Sequence, residues 1–148
     1  MGTISAFNQR IQQVDFRATV VLCMEQSQYE ILAFNRGQLF MGETSTDKLI
    51  SPMYRSEGYA EFKESINPKP GKGVPDLFVT GEFYNGLFVS FNKAQYTFTV
   101  GSKDSKAPKL ERKYGEKIYG LNSENKGYFA TEILKPKLIA RLRTELGL

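Results

Sequence analysis

The spacing of apolar residues changes along the chain, and each change marks a different element. No proline or glycine interrupts the sequence from Thr3 to Arg36, and Val20, Met24, Ile31, Leu32 and Leu39 recur at roughly helical spacing. This predicts helix from about Ser5 to Gly37. A break is expected near Gln13-Val14-Asp15, with Asp15 capping a second helix. Gly37 should weaken the end of that helix and Gly42 should mark its exit. The segment from Ser56 to Ile66 is a short helical candidate. The run "NPKPGKGVPD" reads as an exposed loop from its proline and glycine content.

The period then drops to two. In "LFVSF", Leu87, Val89 and Phe91 share one strand face, opposite Phe88 and Ser90. In "YTFTV", Tyr96, Phe98 and Val100 oppose Thr97 and Thr99. Asn92 to Gln95 is a hairpin-length connection, and Leu77 to Thr80 is a further strand candidate. Helical spacing returns at Leu110, Tyr114 and Ile118, with Pro108 suited to a first turn and Gly120 to a stop. The last helix carries Leu134, Leu138, Ile139, Leu142 and Leu146 on one stripe, with Pro136 in its first turn or at a kink. The fold class is therefore α+β: N-terminal helices, a small antiparallel sheet built on a hairpin at about 87–100, and C-terminal helices. The length of 148 residues suits one domain, 1–148.

Composition narrows the chemistry. The chain has no histidine, which excludes a Ser-His-Asp triad and removes the commonest metal ligand. Its one cysteine, Cys23, has no internal disulfide partner and reads as a small buried apolar residue. Asp76, Glu82, Glu111 and Glu116 could serve carboxylate chemistry if they met in space, but no spacing brings them together, and solvated charges are the expectation. "PGKGVPD" lacks the spacing of a phosphate loop. The expectation is a protein that is not an enzyme and takes neither metal nor cofactor. The longest apolar run, "ATVVLCM", is too short to cross a bilayer, and the N-terminus lacks a signal-peptide layout, so a soluble, intracellularly made protein without membrane contact is expected.

Net charge is +4. Lys103, Lys106, Lys109, Arg112, Lys113 and Lys117 cluster with Asp104, Glu111 and Glu116. Such a run is most often a mixed, solvated helix face. The alternative is a phosphate-contacting patch near strand aromatics, as in a basic nucleic-acid-binding module.

The ordered motifs resemble those of a known class. "ILAFNRGQLFMGETSTDKLISPMYRSEGYAEFK" carries an Asn-x-x-Gln-Leu-x-x-Gly pattern, then an Ile-x-Pro-x-Tyr element and a Tyr-Ala-x-x-Lys element. "PDLFVTGEFYNGLFVSF" follows, with Leu77, Thr80, Gly81, Phe83 and Leu87 in a Leu-x-x-Thr-Gly-type signature. A segment containing Tyr114 and Gly115 and a C-terminal helix complete the series. The set is similar to that of tailed-phage tail-completion and virion-morphogenesis (head–tail joining) structural proteins. Phe83 stands where leucine is usual, and "KYG" replaces an "EFG"-type element.

The resemblance implies a phage or prophage virion protein made in the host bacterial cytoplasm. It implies head–tail joining or tail completion through protein–protein interfaces, often in a homo-oligomeric ring. The implied partners are other virion proteins: portal or connector, tail tube or tail terminator. Candidate contact regions are residues 42–55, 67–76 and 103–117, together with Phe88, which should face away from the core. Within the signature, Thr80 is expected to cap a short turn, Gly81 to permit its tight start, and Gly86 to release it into the strand.

Overall fold

The computed structural model describes residues 4–148. Its α+β architecture follows the expected order. Three helices come first: α1 (Ile4–Gln13), α2 (Phe16–Glu25) and α3 (Gln28–Phe40). The Asp15 side chain accepts hydrogen bonds from the Arg17 and Ala18 amides at 3.1 and 3.2 Å and so caps α2. A second break falls at Gln26-Ser27, which the periodicity does not reveal. Ser27 is fully buried, and its hydroxyl donates back to the Cys23 carbonyl at 2.8 Å. That bond competes with the helical ladder and ends it there. Helix α3 continues through Gly37 to Phe40. Gly42 then turns the chain at a φ of 75°, where a Cβ would lie 2.7 Å from both Pro70 and Val74. Only glycine fits that approach.

Helix α4 (Glu57–Ile66) starts at Ser56, whose Oγ accepts from the Tyr59 amide. The loops on either side of α4 are less free than their composition suggests. Thr44 and Ile50 are buried in the 42–55 segment, and Val74, Pro75 and Asp76 are buried in 67–76. The Leu77–Thr80 stretch is not a strand, because Leu77 takes a left-handed φ of 58° that no ladder accommodates. A single turn, α5 (Glu82–Asn85), follows. Gly81, not Thr80, holds its N-cap position, at a φ of 86° and without a side-chain cap.

Strands β1 (Leu87–Asn92) and β2 (Thr97–Ser102) pair antiparallel, Leu87 opposite Ser102 and Asn92 opposite Thr97. Leu87 and Val100 are buried, which agrees with the expected inward faces. Helix α6 (Ala107–Tyr114) has Pro108 in its first turn and stops at Gly115, five residues before the expected Gly120, and a 3₁₀ turn at Glu116–Ile118 replaces the rest. The C-terminal helical region runs through α7 (Ser123–Tyr128), a π-helical segment at Phe129–Leu134, and α8 (Lys135–Leu146). The π segment sits where Pro136 lacks the N–H that would bond one α-turn back, so the widened turn absorbs the mismatch. Helix α8 buries no residue completely; its leucine stripe is half-covered by α1 and α2.

The core closes around α3. Ile31 and Leu39 are fully buried, with Phe83, Leu87, Ile118 and Leu121 packed in the same cluster. Asn35 and Gln38, one turn apart, are buried as well, and their amides replace a missing sheet. Asn35 Nδ2 donates to the Ile118 carbonyl at 3.1 Å, and its Oδ1 accepts from the Gly120 amide at 2.8 Å. Gln38 Nε2 donates to the Gly120 carbonyl at 2.9 Å, and its Oε1 accepts from the Asn122 amide at 2.7 Å. Residues 119–122, after the 3₁₀ turn that ends at Ile118, are irregular backbone that would otherwise bury unpaired groups. The Asn-x-x-Gln pattern is therefore a device for docking that segment onto α3.

Candidate functional site

The Pro75–Gly81 stretch is fixed from below by a buried charge. Lys63 on α4 and Asp76 have side-chain exposures of 4% and 2%, and Lys63 Nζ meets Asp76 Oδ1 at 2.5 Å. The ammonium also donates to the Phe78 carbonyl. Asp76 Oδ1 accepts from the Phe78 amide at 3.0 Å, and Oδ2 accepts from Asn67 Nδ2 at 2.9 Å. Asn67 reaches on to the Phe40 carbonyl at 2.7 Å, and the Tyr84 hydroxyl donates to the Asp76 carbonyl. This network ties α3, α4 and α5 to one short turn. It also holds Leu77 in its left-handed conformation, which otherwise costs about 1–2 kcal/mol. Burial pushes the Tyr54 and Tyr84 phenols well above their usual range, with the nearby Asp76 charge adding to the effect. Both remain protonated donors at neutral pH.

Above this floor lies a groove of roughly 820 Å³. Leu77, Thr80, Gly81 and Phe83 form one wall, and Leu110 and Tyr114 of α6 face them. Lys106, Lys109 and Lys113 stand along the α6 rim. The structure thus gathers four of the five Thr-Gly signature residues, Tyr114 and three of the basic residues at one place. Phe83 and Tyr114 line the groove from the core cluster they share with Leu87, which does not reach it, and Gly115 closes α6 outside the groove. Lys103 and Arg112 do not line it either. Met53 and Val79 add aliphatic surface and are 55% and 47% exposed. Neither was singled out by the sequence, because a lone valine or methionine in a loop carries no local signal.

Phe88 lies on the strand face opposite Leu87 and is not among the residues packed against the core, as expected. It is half-buried opposite Gly101, where a Cβ on the glycine would come within 2.9 Å of its ring. Lys103 Nζ lies 5.4 Å from the ring centroid. The ring therefore covers a bare stretch of strand and carries a cation over its face.

The four carboxylates weighed above do not form one centre. Asp76 pairs with Lys63, Glu82 lies 3.4 Å from Lys106, and Glu111 accepts from the Tyr119 hydroxyl at 2.7 Å. Glu111 and Glu116 border a second cavity of roughly 740 Å³. Lys72, of the glycine-rich loop, pairs with Glu57 at 2.9 Å and Glu61 at 3.4 Å. Among the described residues no three His, Cys, Asp or Glu gather in a metal-binding arrangement, and no helix is long and apolar enough to cross a membrane. No protein-family model, curated protein or solved structure matches the chain.

The groove joins an apolar lining to a row of exposed lysines, over a base that a buried ion pair keeps in shape.

Proposed function

We propose that the chain is a structural protein of a phage or prophage particle. In this reading it acts in head–tail joining or tail completion, through protein–protein contacts within a ring. One observation carries the reading: the motif residues Leu77, Thr80, Gly81 and Phe83 share a groove with the exposed apolar residues Met53 and Val79. Exposed apolar surface beside a built recess marks an interaction site. A ring subunit needs two unlike surfaces, since its contacts run head to tail. A second surface is available on α1, where Ile4, Phe7 and Ile11 are exposed at helical spacing and nothing is fully buried. The partners in this reading are the portal or connector, the tail tube and the tail terminator, and the finished protein resides in the virion.

The test is co-expression with those proteins from the same genome, followed by co-sedimentation and negative-stain microscopy. Ring particles, or co-sedimentation with one virion component, are expected. Failure to associate with any of them, together with normal infective particles when the gene is deleted, would overturn the assignment.

A further inference from the structure

The groove has a charge pattern that selects among occupants. Lys106, Lys109, Lys113 and Arg55 border it, against Glu82 alone, while Lys63 at the floor is already neutralised by Asp76. Glu82 engages only Lys106, at 3.4 Å between two exposed side chains. The rim is therefore a surplus of cations beside apolar surface, and it fits an anionic, partly apolar occupant.

The spacing of the cations narrows the choice. Lys109 and Lys113 are one helical turn apart on α6, about 6 Å along its axis at 1.5 Å per residue. Alternate side chains of an extended peptide point to the same side and repeat every 6.6 Å or so. Carboxylates at alternate positions would therefore meet successive lysines, while the residues between them turn the other way, towards the recess. The rings at this site do not favour nucleotide bases. Tyr54 and Tyr59 meet edge to face at 4.9 Å, and Phe78 is packed against both Phe40 and Tyr84. The most open apolar positions of the lining, Met53 and Val79, are aliphatic, and the one comparably open ring, Tyr59, has Tyr54 set edge to face with it, so no pair of parallel faces is offered for stacking.

We propose that the groove binds an extended acidic segment of a partner protein, its alternate carboxylates on Lys109 and Lys113 and its intervening apolar side chains between Met53 and Val79. This is β-strand-like recognition in which the helix rim reads charge and the floor reads shape. It concerns the groove on which the virion reading rests, but peptide binding is read without any virion component, so the two fail separately.

The experiment is selection from a random peptide library displayed on yeast, with the full chain as bait and the Val79→Asp, Lys109→Glu double variant as counter-bait. Both positions are exposed, so the variant should keep its fold, which its thermal unfolding curve checks. Lys109→Gln alone repeats the comparison should the double variant unfold. Enriched sequences should alternate aspartate or glutamate with leucine, valine or phenylalanine. A synthetic enriched peptide, followed by fluorescence polarisation, should lose about tenfold in affinity with either change and weaken as salt is raised. Enrichment of no acidic, alternating sequence would overturn the proposal. So would a consensus that binds the variants equally, or an oligothymidylate that displaces the peptide and binds more tightly than it.

Discussion

Two buried polar hubs hold this molecule together, and they work in opposite ways. At Asn35 and Gln38 the groups are neutral amides, and most of their partners are backbone N–H and C=O groups of residues 118–122. At Lys63 and Asp76 the groups are charged, and each is the other's principal partner. The first hub substitutes for a strand, stitching an irregular segment onto a helix. The second stabilises a left-handed turn and thereby shapes the groove. Neutral amides suit a place that must simply stay closed, since each replaces a hydrogen bond at modest cost. A buried ion pair is a costlier device, because each charge depends on the other. It lies where the chain must be held in one particular shape beneath an open surface.

That contrast can be broken experimentally. The largest effect should come from Lys63→Met, which leaves the Asp76 carboxylate buried without its counter-charge and should cost about 3–5 kcal/mol in urea unfolding. Adding Asp76→Asn should restore part of the loss, because the partner is a side chain that can be neutralised in turn. Asn35→Ala should cost less, about 2 kcal/mol, by orphaning the Ile118 carbonyl and the Gly120 amide. No second side-chain change should rescue it, since its partners are backbone. Hydrogen exchange at the Gly120 amide should quicken in the same variant. Equal rescue of both hubs, or of neither, would remove the distinction.

A smaller effect sharpens the edge of the amide hub. Asp47 accepts from the Ser123 hydroxyl and from its amide at 2.8 Å, and these bonds hold its carboxyl below the usual range. The folded pKa is depressed, so the stabilisation is present above the ordinary carboxylate pKa and is lost as pH falls through the folded value. Asp47→Asn should flatten that acid-side loss, as read from the urea midpoint against pH. An unchanged acid limb would mean that the Ser123 contact carries no linkage. Smallest of all is Val79→Asp, which should leave stability within about 0.5 kcal/mol because the residue stands on the groove surface.

Local features were legible in the sequence where a single segment decides them. Asp15 caps α2, Ser56 opens α4, and the alternation at Leu87, Val89, Phe98 and Val100 places the hairpin. Tertiary pairings were not. Lys63 and Asp76 are thirteen residues apart and on different elements, so nothing in either neighbourhood distinguishes them from solvated charges. Asp76 instead sat at the end of a proline- and glycine-rich run that reads as an exposed loop. The Asn35 and Gln38 motif was visible, but its role needed residues 118–122, more than eighty positions away, to be brought against it. The Thr80-Gly81 pair reads as a joint in the sequence and is one in the fold, yet its glycine alone occupies the cap, and the groove beside it comes from α6 and from Met53, which no local pattern links to it.

We propose that this groove is the surface through which the protein meets its partners. That role is tested most directly by co-sedimentation with the portal, tail-tube and tail-terminator proteins, comparing the wild-type chain with the folded Val79→Asp, Lys109→Glu variant. The account predicts that the wild type enters the assembly and the variant stays in the supernatant. A wild type that stays free, or a variant that enters equally well, would contradict it.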